Sequence, residues 1–137
     1  MDINELNRKV IEEFRANNGT VTGQFENVPL LLLETTGARS GEQRIKPLAY
    51  FADGDRLVVI ASFAGADTSP PWFFNLVKNP SVGVEVGSEK FAATATVAEE
   101  PERTRLYEKM VAMNPVFADY QAKTERVIPV VILTRAA

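Results

Sequence analysis

The chain has 137 residues, 45% hydrophobic and 24% charged, with a net charge of −3. That length suits one domain around one core, the composition excludes a disordered chain, and the acidic balance argues against nucleic acid as a partner. The chain has neither cysteine nor histidine, which removes disulfides, thiolate chemistry, the commonest metal ligand and the usual general base.

Residues 1–17 read as an N-terminal amphipathic helix: Ile3, Leu6, Val10, Ile11 and Phe14 recur at helical spacing, and Asn18-Gly19 stops it. One reading lays this helix over an end of a barrel. The other lays it weakly on a membrane surface, although its polar face mixes acids with bases. The uncharged apolar run Val28 to Leu33 is too short to span a bilayer, and we read no secretory signal at the start of the sequence. We therefore expect a cytoplasmic protein, with a peripheral place at the inner membrane face as the alternative.

Leu30 to Thr36 reads as a buried strand. Arg44 to Ala52 is expected to pair with Arg56 to Ser62 across the Asp53-Gly54-Asp55 turn. Ser69 then caps a short helix with Pro70 at its first position, ending near Asn79-Pro80. Val82 to Val86 and Lys90 to Val97 alternate in polarity around Gly87-Ser88, a second hairpin. Pro101 opens a helix through Met113, with Leu106, Met110 and Met113 on one stripe. A second short helix carries Phe117 and Tyr120, and Pro129 to Leu133 forms a last buried strand. About six strands and three or four helices, paired through hairpins, argue for a mainly β fold, a small antiparallel barrel with peripheral helices, spanning 1–137 as a single domain.

Four segments could carry chemistry. Arg44 and Lys46, two apart on a strand, share a face with Leu48 and Tyr50, and the loop before them brings Arg39 and Ser40 close. Guanidinium, ammonium, hydroxyl and loop N–H groups can converge on a phosphate or carboxylate; alternatively the cations pair with Glu34, Glu42 or Asp55 on a solvated hairpin. Small residues at Ala61-Ser62-Phe63-Ala64-Gly65 would let a flat ring approach the backbone. On the helix from Pro70 to Leu76, Trp72, Phe73 and Leu76 either pack on the barrel or wall a pocket, with Asn75 bonding a ligand or the backbone. Phe117 and Tyr120, three apart, either lid that pocket or join the core. No metal site is expected.

With these segments in view, the chain resembles the deazaflavin (coenzyme F420)-dependent nitroreductase and quinone reductase family over essentially its whole length. The motifs are LLLETTGARSGEQRIKPLAYFADGDRLVVIAS, GA followed by PPWFFNLVKNP, and the closing IPVVIL. The resemblance implies a split β-barrel, of the kind that also binds FMN. It implies a grip on the anionic cofactor tail by Arg39, Ser40, Arg44, Ile45, Lys46, Pro47 and Leu48. It also implies a border to the phosphates and ring from Ala61, Ser62, Phe63, Ala64, Pro71, Trp72, Phe73, Asn75, Leu76 and Phe117. The chain departs from the family pattern at Ala38, where members often carry the first of two consecutive basic residues, and at Asn114 and Phe117, where some carry tyrosines.

The expected activity is hydride transfer from the C5 carbon of reduced F420 to an electron-poor small molecule: a quinone, activated alkene or nitro compound. Tyr50, Phe117 and Tyr120 would face the acceptor, and Tyr120, Ser62 or water would supply the proton. Two alternatives stand beside this reading: an FMN-dependent oxidoreductase on the same barrel, and a non-catalytic deazaflavin carrier. The protein would be a monomer or a homodimer.

Overall fold

The structure is a computed structural model and describes residues 3–21 and 29–136. Seven strands form one sheet: β1 (Leu30–Thr36), β2 (Gln43–Ala49), β3 (Phe51–Asp53), β4 (Arg56–Ile60), β5 (Ser81–Val86), β6 (Glu89–Val97) and β7 (Val130–Arg135). Their order is β2-β1-β5-β6-β7-β4-β3, and every neighbouring pair is antiparallel. β2 and β3 lie at opposite ends of that order, yet only Tyr50 separates them in the chain. The sheet must therefore curl until its two edges meet at Tyr50, whose N–H donates to the Pro29 carbonyl at 3.2 Å. This is the expected split barrel, with seven strands instead of about six.

The extra strand arises because the stretch from Arg44 to Ala52 is not one strand. Its first part pairs with β1, setting Arg44 opposite Thr35 and Lys46 opposite Leu33. Only Phe51–Asp53 forms the hairpin with β4. β4 ends at Ile60, short of Ser62, where the chain turns into a 3-10 turn at Phe63–Gly65. Pro47 fits the strand because β2 is an edge, where a missing N–H is tolerated.

Side-chain alternation explains why β1, β4 and β7 look apolar throughout. Leu31, Leu33, Val59, Ala61, Val131 and Leu133 point into the barrel. Leu30 and Leu32 face the helix α1 (Ile3–Ala16), while Val58, Ile60, Val130 and Ile132 face α3 (Glu102–Met113) and α4 (Val116–Ala122). These strands are covered on both sides. The helix α2 (Pro71–Lys78) contributes Trp72 and Leu76 to the interior core.

Pro70, not Ser69, is the N-cap of α2, and Pro71 occupies the first turn. In α3 the buried positions are Leu106, Tyr107 and Met110, whereas Met113 is exposed: the stripe turns toward the sheet through Tyr107. In α1, Val10 and Phe14 are buried against β1 and β2. With that apolar stripe turned inward, the membrane-surface alternative finds no support. No helix among the described residues is long and apolar enough to cross a membrane. At the end of α1, Gly19 is required on two counts: its φ is +95°, and a Cβ there would lie 2.7 Å from the Gly87 Cα.

An ion network fastens the β3–β4 hairpin to α3. Asp53 accepts from Arg56 at 2.6 Å, Lys109 at 3.0 Å and Arg105 at 3.3 Å, and Glu102 accepts from both arginines. The Arg56 guanidinium, then Lys109 and Arg105, hold the Asp53 carboxyl well below the usual carboxylate range. Such a group stabilises the fold above its ordinary value of 3.8 and loses that contribution as pH falls toward its folded value. Asp53→Asn should therefore lower Tm at pH 7 by about 2–6 °C, with the gap to wild type narrowed but not closed at about pH 2.5. Calorimetry at both pH values checks this; a gap that does not change with pH contradicts it.

Candidate functional site

The loop between β1 and β2 is held open by α2. Asn75 Oδ1 accepts from the Ala38 N–H at 2.9 Å, and Asn75 Nδ2 donates to the buried Thr35 hydroxyl at 3.2 Å. Lys78 Nζ donates to the Ala38 carbonyl at 2.8 Å. Both polar groups of Ala38 are thus fixed by one helix. Within the loop the Gly37 N–H donates to the Glu42 carbonyl and the Gly41 N–H to the Gly37 carbonyl, while the Ser40 hydroxyl accepts from the Glu42 N–H. The exposed Arg39 side chain sits at the tip of this braced turn.

Between the loop and α2 lies an open cleft of about 900 Å³, within the usual size of a small-molecule site. Arg39, Ser40, Arg44, Ile45 and Lys46 line one side. Phe63, Thr68, Ser69, Pro71, Trp72, Phe74 and Asn75 line the other, and Asn7 of α1 closes one end. No carboxylate is among the lining residues, so three cations gather in a chain that is acidic overall.

The three cations differ. Arg44 is exposed and pairs with Glu42 at 3.0 Å. Arg39 is exposed and has no ion pair among the described residues. Lys46 is half-buried, has no acidic partner among the described residues, and burial pushes its ammonium pKa down. An anion in the cleft would supply the missing counter-charge. Opposite it, Trp72 is buried with one side on the cleft, whereas Phe63 and Phe74 are about half exposed, at 49% and 51%.

Other expected site residues are placed off this lining. Pro47 and Leu48 continue β2, with Leu48 packed on the barrel interior beside Tyr50 and Phe73. Leu76 and Ala61 are interior core. Ser62 is buried and its carbonyl accepts from the Gly65 N–H; Ala64 is exposed at φ +54°. Phe117 belongs to the outer core between sheet and helices, where its carbonyl accepts from the Tyr107 hydroxyl at 2.6 Å. Tyr120 stands edge-on to Phe117, with ring centroids 5.3 Å apart. The apolar side of α4 is thus occupied with the outer face of the sheet, and neither ring lines the cleft.

Asn7, Thr68 and Phe74 line the cleft without having been singled out in the sequence, and Ser69 reads there only as a helix cap. Polar residues on a helix or loop carry no signal until the fold brings them to one opening. The bracing role of Asn75 and Lys78 was equally hidden, because their partner Ala38 lies 37 and 40 residues away.

Comparison with known proteins bears on this arrangement. The family model described as F420H(2)-dependent quinone reductase matches residues 6–135. An F420H(2)-dependent quinone reductase of Mycobacterium tuberculosis is 38% identical over 126 residues, covering 89% of this chain and 85% of that protein. A solved structure described as an F420-H2 dependent reductase is 38% identical with a TM-score of 0.71, covering 77% of this chain and 93% of that one. Another, described as a domain-swapped dimer, is 34% identical with a TM-score of 0.73 and covers 96% of each chain. Neither the family nor these relatives is described by FMN, so the FMN alternative is left without support. This chain belongs to the F420H(2)-dependent quinone reductase family.

Proposed function

We propose that the cleft between the β1–β2 loop and α2 binds coenzyme F420 and that the chain reduces a quinone there. The observation that carries this reading is Lys46: a half-buried ammonium, without an acidic partner among the described residues, facing an opening walled by aromatic rings. The residues suit the group. F420 is a flat ring on a polyanionic tail, and the cleft offers cations on one side with Trp72, Phe63 and Phe74 on the other.

Lys46 and Arg39 would hold the tail, with Arg44 adding a weaker, solvent-screened contribution because Glu42 already engages it. Asn75 and Lys78 keep the loop in one conformation, so little ordering entropy is lost when an anion arrives. When bound, F420 in its reduced form would be the source of the hydride, and the quinone would take that hydride and a proton. Trp72 and Phe63 would fix the plane against which the acceptor lies and exclude water from one side of it. Ser62 and Tyr120 stand off the cleft lining, so we assign the proton to a water at the open face.

We further propose that the chain forms a homodimer. The relative described as a domain-swapped dimer, matched over 96% of each chain, supports that state.

Lys46→Ala should raise the F420 dissociation constant at least tenfold, since a charge-assisted contact contributes about 1.5–3 kcal/mol. Arg44→Ala should raise it less than about threefold. Cofactor fluorescence titration measures both, and unchanged affinity in Lys46→Ala would refute the anchor. Asn75→Leu leaves the Thr35 hydroxyl and the Ala38 N–H without their partner, costing about 1–3 kcal/mol of stability. It should also weaken F420 binding; full affinity in that variant would show that the loop needs no bracing.

A further inference from the structure

We infer that Arg126, which lies outside the cleft, is a positioning residue that fixes the 62–69 wall of the cleft. This inference rests on the reading of the cleft as the F420 site. β4 ends at Ile60, so the carbonyls of the buried Ala61 and Ser62 leave the sheet; the Gly65 N–H meets the Ser62 carbonyl, and both oxygens have room for further donors. Arg126 supplies them. Its guanidinium donates to the Ala61 carbonyl at 3.2 Å, the Ser62 carbonyl at 3.0 Å, the Ala66 carbonyl at 2.8 Å and the Ser69 hydroxyl at 3.1 Å. One planar fork thus reaches four points along nine residues of chain, a geometry that lysine cannot reproduce.

The backbone it spans is strained. Phe63, Ala64 and Gly65 take φ of +47°, +54° and +83° in succession, and the first two are not glycine. Such a conformation persists only where its surroundings over-determine it. Gly65 admits no side chain in this turn, because a Cβ there would meet the Tyr120 carbonyl at 2.8 Å. The result is a half-exposed Phe63 ring held on the cleft, with Thr68 and Ser69 beyond it.

The main chain of Arg126 is itself held by the end of α4 and the segment that follows it. Gln121 Nε2 donates to the Arg126 carbonyl at 2.7 Å, and the Arg126 N–H donates to the Thr124 hydroxyl at 3.3 Å. Thr124 in turn donates to Asp67 at 2.9 Å. The late segment, whose rings do not line the cleft, thereby governs one of its walls.

The test uses the full chain with Arg126→Ala and Arg126→Lys. In the ligand-free protein, amide exchange at Gly65 and Ala66, whose N–H groups close the turn onto Ser62 and Phe63, should quicken at least tenfold in Arg126→Ala, with β1 and β7 unchanged. With F420H2 and a short-chain naphthoquinone, kcat should fall at least tenfold while the F420 dissociation constant stays within threefold, because Lys46 and Arg39 are untouched. Millimolar guanidinium should restore part of kcat in Arg126→Ala and none in wild type. Wild-type kcat with wild-type exchange at Gly65 and Ala66 would overturn the inference, as would a loss of kcat matched by equal loss of protection across the sheet. If Arg126→Ala does not fold, Arg126→Lys decides: quickened exchange at Gly65 and Ala66 with kcat down at least threefold supports positioning, and unchanged values overturn it. A wild type that binds no F420 would overturn the cofactor reading instead, and the exchange measurements would still judge the clamp.

Discussion

An ammonium buried without a counter-charge is a cost that a folded chain normally avoids, by pairing it or by letting it snorkel to water. Here Lys46 lies half-buried on an edge strand, opposite Leu33, and no acid among the described residues reaches it. Its neighbours show that the chain can pair its cations where pairing serves the fold: Arg56, Arg105 and Lys109 converge on Asp53, and Arg15 grips Glu85 with two hydrogen bonds. The same chain leaves the cleft free of carboxylates. The site is therefore electrostatically incomplete, and the anionic tail of the proposed cofactor would complete it.

The barrel's closure puts this incomplete site where it is. Since β2 and β3 are consecutive in sequence but occupy opposite edges of the sheet, the chain must cross from one edge to the other at Tyr50. That crossing leaves the Arg44 and Lys46 side of β2 facing α2 across an opening instead of facing another strand. The helix α2 seals the barrel interior with Leu76 and with the buried side of Trp72, and uses Asn75 and Lys78 to brace the loop above. Core packing and ligand-site geometry are thus handled by one eight-residue helix.

Much of this was legible in the sequence because the signals were local. The hairpin at Asp53-Gly54, the second at Gly87-Ser88, the double proline opening α2 and the cluster of Arg39, Ser40, Arg44 and Lys46 are each readable within about ten residues. What could not be read depends on pairings far apart in the chain. The division of the stretch after Arg44 into β2 and β3 follows from barrel closure, which no local pattern records. Asn75 read as bonding a ligand or the backbone, and which backbone could not be read: its partner is a loop 37 residues away. For Phe117 and Tyr120 the sequence left a lid and core packing both open; α4 packs over the outer face of the sheet, where Phe117 joins Leu106 and Met110. Arg126 gave no sign at all, since three of its acceptors are carbonyls 60 to 65 residues earlier, which carry no residue identity, and the fourth is the Ser69 hydroxyl 57 residues earlier.

The central claim is that the Lys46 ammonium anchors an anionic cofactor, and its own titration tests that most directly. Burial holds its pKa below the ordinary lysine value of 10.5 in the free protein. NMR of the Lys46 side chain, labelled at carbon and nitrogen and titrated with and without F420, should show the pKa rising on binding as the cofactor's negative tail replaces lost hydration. A Lys46 pKa that is the same in both states, or that falls further on binding, would contradict the account.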